Sequence, residues 1–303
     1  MAEPARLRPA DWRGNLPQVV TSPGELRQLT SSWAAEGELV GLVPTMGSLH
    51  AGHLSLVTAA QLECARVVVS IFINPLQFGA GEDFLGYPRQ IEADLELLAD
   101  LGVDACYCPE VKTLYPDGFA TRVVVEAGGE RWEAERRPGH FIGVATVVTK
   151  LLAATGPCRA YFGEKDAQQA AVVCGLARDL DLGAAVSICP TVRDPAGLAL
   201  SSRNLLLTGA GRRAARCLSQ ALIAASRQFA GGITSGPQLV DAAVQVIAAE
   251  PAARLDYAGV VDPVDFQSVT EAKGESRVLV AGQIEDVHLI DTALLSSPPR
   301  PGR

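Results

Sequence analysis

Short apolar runs rich in β-branched residues alternate with helical patterns over the first 190 residues of the chain. The clearest run is 66–73, RVVVSIFI, and others lie at 39–43, 103–108, 159–162 and 184–189. Continuous apolar runs of this length are typical of strands buried on both faces, as in parallel sheets covered by helices. The alternation therefore predicts an α/β fold, and it places ligand-binding groups beyond the carboxyl ends of the strands.

The helical segments carry start and stop signals. Ser22-Pro23-Gly24-Glu25 is typical of a capping box with proline at the first helical position, and a helix to about residue 35 follows. Ile91, Leu95 and Leu98 share one helical stripe that Gly102 ends. Further helices are predicted from residue 52 or 53 onward, over 142–154, and along a stripe through Ala170, Val173, Ala177 and Leu180.

The pattern changes after about residue 190. A long helix is predicted over 210–229, and Ser235-Gly-Pro-Gln238 predicts the capping box of a second helix. Predicted strands then cluster at 255–261, 277–281 and 287–290. We expect a large domain over 1–190, a smaller α+β domain over 191–303, and a disordered tail at the proline-rich 296–303.

Composition excludes several classes of protein. The net charge of −8 argues against a basic surface for nucleic acid, so the cations of any anion site must be gathered locally. No apolar stretch reaches about 18 residues and the N-terminus lacks signal-peptide features, which predicts a cytoplasmic protein without a membrane partner. None of the seven cysteines forms a Cys-x-x-Cys pair. Cys106 and Cys108 would share one strand face, and buried thiols are favoured over a zinc site or disulfides.

The segment from Pro44 to His53, PTMGSLHAGH, lies between a predicted strand and a helix. Free backbone N–H groups and the helix dipole at such a junction favour an anion. His50 and His53 are three residues apart and project to one side, and Gly52 lets a phosphate approach the backbone. Their imidazoles can donate to phosphate oxygens in a transition state. The alternative is a pair of surface histidines on a loop.

A second segment, FGEKDAQQ at 162–169, also follows a strand and opens a helix. Asp166 and Gln169 match a simple capping box, which is the structural alternative. Lys165, however, would stand at a helix N-terminus, where a cation is unfavourable unless an anion neutralises it. This position suggests a bound phosphate.

Other polar clusters are weaker alone. Ser201-Ser202-Arg203-Asn204 offers two hydroxyls and a guanidinium to a triphosphate, although this is also a common turn composition. No Gly-x-Ser-x-Gly elbow surrounds these serines, which disfavours a serine nucleophile. Segments 74–79 (NPLQFG), 87–89 (YPR) and 137–140 (RPGH) add polar groups in turns or helix starts.

Taken together and in order, these segments resemble the pantothenate synthetase (pantoate–β-alanine ligase) family, which belongs to the HIGH-motif nucleotidyl transferase superfamily. The similarity extends over nearly the whole chain. It rests on PTMGSLHAGH at 44–53, IFINPLQFG at 71–79, YPR at 87–89, RPGHFIGVATVVTKLL at 137–152, YFGEKDAQQ at 161–169, GLALSSRN at 197–204 and DYAGVVDP at 256–263. The resemblance implies a Rossmann-like domain, a smaller C-terminal domain that covers the cleft, and a homodimer.

The resemblance also implies a reaction and its participants. The pantoate carboxylate attacks the α-phosphorus of ATP, pyrophosphate leaves, and the amine of β-alanine then displaces AMP from pantoyl adenylate. Magnesium accompanies ATP, with no metal held by the protein itself. The implied catalytic residues are His50, His53, Lys165 and Arg203. The implied ATP-binding residues are Pro44, Met46, His50, Gly52, His53, Gly163, Lys165, Asp166, Leu200, Ser201, Ser202 and Arg203. Met46, Gln77, His140 and Gln169 are implied for pantoate, and Asn74, Tyr87 and Arg137 for the amine end, which His140 also borders.

The chain departs from the family pattern at four places. Ala167 replaces a frequent aromatic residue, Leu200 replaces methionine, Leu205-Leu206 follow the SSRN run in place of a residue and tyrosine, and 131–134 is atypical. A ligase for a different amine or hydroxy acid therefore stays open. A nucleotidyl transferase with a phosphate-ester acceptor and a non-catalytic binding protein stay open as well. An aminoacyl-tRNA synthetase is disfavoured by the short length and the acidic balance.

Overall fold

The computed structural model describes residues 16–79, 84, 86–126, 128, 131–296 and 299, which form two compact units. The first unit takes in the chain up to Gly128, then Glu133–Phe162 and Val172–Cys189. The second takes in 131–132, Gly163–Ala171 and the chain from Pro190 onward. Apart from Ser296 and Pro299, the predicted tail 296–303 lies outside the described residues. Within the described ranges, no helix is both long and apolar enough to cross a bilayer.

A six-stranded sheet forms the centre of the first unit. Its strand order is β1-β4-β3-β2-β5-β6, and the four pairings β1–β4, β4–β3, β3–β2 and β2–β5 are parallel. The strands are β1 Gln18–Val20, β2 Val40–Thr45, β3 Arg66–Ile71, β4 Ala105–Tyr107, β5 Cys158–Gly163 and β6 Ala184–Cys189. The prediction of a Rossmann-like α/β fold is confirmed.

Helices accompany this sheet along the chain. They are α1 Pro23–Ala35, α2 Ala51–Glu63, α3 Ile91–Asp100, α4 Val111–Leu114, α5 Glu133–Arg136, α6 His140–Thr155 and α7 Ala167–Asp179. The predicted capping box of α1 is present, because the Glu25 amide donates to Ser22 Oγ at 3.2 Å and the Ser22 amide donates to Glu25 Oε2 at 3.1 Å. Leu180 is the exception in the predicted stripes. It lies beyond the end of α7 and is 47% exposed.

The core explains why strand β3 is apolar at every central position. Val68 packs into one cluster with Leu42 and residues of α1, α6 and α7, whereas Val67 and Val69 pack into another with residues of α2 and α3. Because successive side chains point to opposite faces, a strand covered on both sides needs a continuous apolar run. Helix packing on both faces thus buries the central valines of β3 completely.

The second unit contains a three-stranded antiparallel sheet, β7 Ala253–Val261, β8 Arg277–Ile284 and β9 Val287–Leu294, in that order. Its helices are α8 Gly209–Ala214, α9 Arg216–Ala230 and α10 Gly236–Ala248. The single helix predicted over 210–229 is wrong, since α8 ends at Ala214 and α9 begins at Arg216, with Ala215 between them. The capping box predicted at the start of α10 is also wrong. The Ser235 side chain makes no cap hydrogen bond, and the amide of Gly236, the first helical residue, donates to Thr270 O at 2.9 Å.

Trp132, which belongs to the atypical segment 131–134, has a packing role in this unit. Trp132 adopts a left-handed backbone conformation, φ +60°, and its Nε1 donates to Phe266 O at 2.9 Å. The indole ring lies directly over Gly259 in β7, where an added Cβ would approach Trp132 Cη2 to 2.2 Å. Glycine is therefore required at 259 by packing rather than by backbone conformation.

Gly259→Ala is expected to lower the free energy of unfolding by about 1–3 kcal/mol, the usual cost of overpacking, because the Trp132 ring must move. Thermal or denaturant unfolding measures this change. Gly274→Ala is the matched control, since its Cβ would meet only Ser296 Cβ at 3.7 Å. Trp132→Leu combined with Gly259→Ala should relieve the clash. Equal destabilisation by the two alanine variants would show that the indole contact is not what requires glycine.

Candidate active site

The turn after β2 has an unusual backbone that internal hydrogen bonds hold. Gly47 and Ser48 are both left-handed, with φ +81° and +52°. Thr45 Oγ1 donates to Ser70 O of β3 at 2.8 Å and accepts the Gly47 amide at 3.2 Å. A left-handed serine is uncommon and is strained unless its surroundings hold it. The turn is thereby fixed to the end of the sheet.

Asp94 holds the same turn from the side of α3. It is 2% exposed, and its two carboxylate oxygens accept the amides of Ser48, at 2.9 Å, and Leu49, at 2.8 Å. Asp94 is not among the site residues predicted from the sequence, because an acidic side chain in the first turn of a helix is the ordinary partner of the helix dipole. Its burial, which sequence alone does not give, is what distinguishes it.

His50 and His53 lie side by side at the start of α2, with ring centroids 4.0 Å apart, as their spacing predicts. His50 is the N-cap of α2, and its Nδ1 accepts the Gly52 amide at 3.1 Å. A nitrogen that accepts carries no proton, so neutral His50 bears its hydrogen on Nε2. The tautomer that offers an Nε2–H donor is thereby selected.

The expectation of free backbone donors in this segment is wrong for four amides. Those of Gly47, Ser48, Leu49 and Gly52 all donate to side chains of the same unit. Because these four N–H groups are occupied, they do not contribute to an anion site at the start of α2, where the imidazole donors and the helix dipole are suited to that role.

Asn74, predicted at the amine end, is 1% exposed and uses its whole amide within the unit. Its Oδ1 accepts the Leu76 amide at 3.2 Å and the Tyr115 hydroxyl at 2.8 Å. Its Nδ2 donates to Gly143 O at 3.0 Å and to Gln77 Oε1 at 3.1 Å. Burial raises the pKa of the Tyr115 hydroxyl, which therefore stays protonated and donates. The four bonds identify Asn74 as a residue that orients Gln77.

The orientation of Gln77 follows from this arrangement. Two backbone groups, Leu76 N–H and Gly143 C=O, settle which side of the Asn74 amide is oxygen. Asn74 Nδ2 must then meet the oxygen of Gln77, which leaves Gln77 Nε2 as the outward group, 2.9 Å from Met46 Sδ. Gln77 thus presents an N–H donor beside Met46, suited to a carboxylate or hydroxyl oxygen.

Arg137 and His140 also meet at Gln77, through its backbone. Gln77 O accepts His140 Nδ1 at 2.9 Å and Arg137 Nη2 at 3.3 Å, and Arg137 Nη1 lies 3.2 Å from His140 Nε2. A carbonyl can only accept, so neutral His140 carries its hydrogen on Nδ1. Glu133, 4% exposed, lies 3.6 Å from the Arg137 guanidinium. The predicted residues 77, 137 and 140 therefore form one cluster.

The remaining predicted residues of the first unit are more peripheral. Tyr87 contacts the Phe78 ring edge to face, with centroids 6.0 Å apart. Pro44 is the fifth residue of β2, and Gly52 belongs to the first turn of α2. The Sγ atoms of Cys106 and Cys108 lie 3.3 Å apart, which confirms that these residues share one strand face. All seven cysteines are free, and the described residues contain no cluster of three potential metal ligands.

The second unit holds the lysine segment. Gly163 ends β5, and a short 3-10 helix over Glu164–Asp166 leads into α7. The Lys165 side chain is 16% exposed and its ammonium lies 3.4 Å from the half-exposed Asp166 carboxylate. Ala167 is buried against Val261 and Leu279, so packing on the small sheet accommodates the small residue found there. Gln169 is half-buried.

The serine–arginine segment also lies in the second unit. Ser201 is the N-cap of a 3-10 helix over Ser202–Leu206, and its Oγ accepts the Arg203 amide at 3.3 Å. The Leu200 amide donates to Val192 O at 2.9 Å, and Asn204 Nδ2 donates to Ala199 O at 3.0 Å. Leu205 and Leu206, which depart from the expected pattern, are 62% and 67% exposed.

The strand order of the six-stranded sheet reverses at one point. The chain runs outward from β2 through β3 to β4 and then returns to β5 on the other side of β2, so the strand order reverses between β2 and β5. In open parallel sheets, ligands bind beyond the strand ends at such a switch point. The histidine segment follows β2 and the lysine segment follows β5.

Comparison with known proteins gives a consistent result. Residues 18–294 match the family model described as pantoate-beta-alanine ligase. A pantothenate synthetase of Rubrobacter xylanophilus is 51% identical over 285 residues, which are 91% of this chain and 98% of that protein. The crystal structure of pantothenate synthetase from Thermus thermophilus is similar with a TM-score of 0.86 and 43% identity, covering 92% of this chain and 99% of that one.

A structure from Francisella tularensis is also similar, with a TM-score of 0.75 and 33% identity over 94% of this chain and 100% of that one. It is described as pantoate-beta-alanine ligase complexed with beta-gamma ATP and beta-alanine. The likeness therefore extends to a chain that was crystallised with two small molecules.

Asp94→Asn is expected to lower the free energy of unfolding by about 1–3 kcal/mol, because the amide NH2 cannot accept and one buried loop amide loses its partner. Amide hydrogen exchange at Ser48 and Leu49 should accelerate in the same variant. Asp100→Asn is the control, since Asp100 lies on the same helix and is exposed. Unchanged exchange at both amides would show that the turn does not depend on Asp94.

Proposed function

The chain belongs to the pantoate–β-alanine ligase family, and on that premise we propose which of its residues carry out each part of the reaction. The protein is an enzyme that condenses pantoate with β-alanine in an ATP-dependent reaction. The observation that carries the residue assignment is the pair of adjacent imidazoles, His50 and His53, at the start of α2. Both follow the turn that Thr45 and Asp94 hold at the end of the parallel strand β2.

Binding of ATP is assigned to the histidine, lysine and serine–arginine segments. His50, whose tautomer offers Nε2–H, and His53 donate to the phosphates. Lys165 and Arg203 supply positive charge, and Ser201 and Ser202 supply hydroxyl donors. Pro44, Met46, Gly52, Gly163, Asp166 and Leu200 complete the proposed nucleotide-binding set. These fixed donors stabilise charge that develops on the triphosphate as pyrophosphate leaves.

Recognition of pantoate is assigned to Met46, Gln77, His140 and Gln169. Gln77 offers its Nε2 donor beside Met46, and Asn74 holds it in that orientation. Arg137 and Tyr87 are assigned to the amine end, where the guanidinium suits the carboxylate of β-alanine. Asn74 was expected at that end too, but its four internal hydrogen bonds support an orienting role instead.

The chemistry proceeds in two steps under this assignment. A pantoate carboxylate oxygen bonds to the α-phosphorus of ATP, and the bond to pyrophosphate breaks, which gives pantoyl adenylate. The amine nitrogen of β-alanine then bonds to the acyl carbon, loses a proton, and the acyl–oxygen bond breaks to release AMP. The protein aligns the reactants and stabilises charge, and no residue becomes covalently attached.

Three further properties belong to the proposal. Mg²⁺ enters with ATP as part of the substrate, bound to phosphate oxygens, and Asp166 beside Lys165 is a carboxylate suited to one of its waters. The chain is proposed to form a homodimer on the strength of its family membership, and sedimentation velocity distinguishes dimer from monomer. We also place the enzyme in the cytoplasm, which cell fractionation would test.

His50→Ala and His53→Ala are expected to lower pantoate-dependent pyrophosphate release by about 10²–10³-fold, the range for loss of one fixed donor to a developing charge. Steady-state pyrophosphate release with saturating ATP and pantoate measures this. His288→Gln is the control, because His288 pairs with Asp256 in the second unit and has no assigned role. Near wild-type rates in both alanine variants would remove the histidines from the phosphate site.

Lys165→Ala is expected to suppress formation of pantoyl adenylate while affecting amine attack on preformed adenylate much less. The reason is that the α-phosphorus is transferred only in the first step. Single-turnover assays with and without β-alanine separate the two steps, and Lys273→Ala, an exposed lysine of the same unit, is the control. Pyrophosphate release that strictly requires β-alanine would contradict the stepwise reaction.

A further inference from the structure

A buried ion pair in the second unit lies outside every role assigned above. Arg193 Nη1 donates to Asp291 Oδ2 at 2.6 Å, and Nη2 donates to Oδ1 at 2.8 Å. The two side chains are 5% and 2% exposed. Parallel bidentate bonds of this kind fix both position and orientation, which a single contact does not.

The Arg193 guanidinium also reaches the turn that precedes the serine–arginine segment. Nη1 donates to Gly197 O at 3.1 Å, and Gly197 is left-handed with φ +92°. Asp194 Oδ1 accepts the amides of Ala196 and Leu198, both at 2.9 Å, which tightens the same turn. Only three residues separate Gly197 from Ser201. Arg193 therefore holds a short, internally bonded turn that leads directly into residues 201–203.

Asp291 occupies a position where a free carboxylate would be harmful. A small cleft in the second unit is lined by Lys165, Ala199, Ser201, Asn204 and Asp291, together with apolar residues. Among the described residues that line this cleft, Asp291 is the one with a carboxylate. An uncompensated negative charge there would repel a phosphate that Lys165 and Ser201 attract. Both Asp291 oxygens are occupied by Arg193, and Oδ1 also accepts the Thr292 amide at 2.8 Å.

We propose that Arg193 and Asp291 are positioning residues for ATP: Arg193 neutralises Asp291 beside Lys165 and holds the 197–203 segment in its phosphate-binding orientation. This inference rests on the proposed contacts of Lys165 and of residues 201–203 with the triphosphate. The pair acts on nucleotide binding and leaves recognition of pantoate unchanged. If the pair only stabilised the fold, well-packed apolar residues could replace it without loss of stability, and KM for ATP would not change.

Two variants distinguish a positioning role from a purely structural one. Arg193→Met combined with Asp291→Leu replaces the pair by apolar side chains of similar size. Arg193→Lys keeps the charge but offers one nitrogen in place of two, so it loses the parallel contact with Asp291 that is combined with the bond to Gly197 O. For each variant, KM for ATP and for pantoate is measured in the pyrophosphate assay, together with the thermal midpoint. We expect KM for ATP to rise about 10-fold in both variants, with KM for pantoate within about 2-fold of wild type.

Each outcome either supports or overturns the inference. A double variant that folds and keeps the wild-type KM for ATP overturns it, whatever its thermal midpoint, since the pair would then be structural only. If the double variant does not fold, Arg193→Lys decides: an unchanged KM for ATP, or an equal rise in both KM values, overturns it. Arg203→Ala serves as the reference for direct contact. Unchanged KM for ATP in that variant refutes the proposed role of residues 201–203 and the inference with it. If KM for ATP rises in Arg203→Ala but not in the Arg193 variants, the inference is refuted while the proposed role of residues 201–203 stands.

Discussion

The candidate site depends first on how the chain turns at the end of β2. Gly47 and Ser48 both adopt left-handed conformations, which lead the backbone from a buried strand into α2 within a few residues. Such a turn leaves amides pointing inward, and buried amides without partners are costly. Asp94 satisfies two of them and thereby fixes where α2 begins. The positions of His50 and His53 follow from this starting point, so a residue of α3 that bonds to the turn before them determines how both are presented.

The hydrogen-bond donors of the candidate site depend on how side chains are oriented as well as on residue type. A glutamine can present either a donor or an acceptor, and its side chain alone does not decide which. Two backbone groups fix the orientation of the Asn74 amide, and Asn74 Nδ2 then fixes the orientation of the Gln77 amide. The Tyr115 hydroxyl donates the remaining bond to Asn74. His50 and His140 have their neutral tautomers selected in the same way, by one backbone amide and one backbone carbonyl. The scaffold thus assigns donors before any substrate arrives.

The acidic composition gives the cations of the second unit a particular importance. A protein with net charge −8 must attract an anion through local arrangement. Arg277 and Arg193 are committed to buried or half-buried carboxylates, Glu164 and Asp291. The ionic neighbour of Lys165 is the half-exposed Asp166 carboxylate at 3.4 Å, so the lysine is less firmly neutralised than the two arginines. The ion pairs therefore organise the surroundings, and the lysine stays suited to a substrate phosphate.

The sequence by itself determined five of the six strands of the large sheet, the capping box of α1, the segments that carry the histidines and the lysine, and the family, but it did not predict β1. These features are local, because strand burial, helix caps and strand–turn–helix motifs are written in neighbouring residues. It failed at Ala215, which separates α8 from α9, and at the start of α10, where the Ser235 side chain makes no cap hydrogen bond. It also did not reveal Asp94, the orienting bonds of Asn74, the contact of Trp132 with Gly259, or the pair of Arg193 and Asp291. Each of these contacts joins residues far apart in the chain except the short bonds of Asn74 to Leu76 and Gln77, and each owes its strength to burial. Burial and partner identity exist only after the chain has folded, and for that reason the tertiary structure alone decided them.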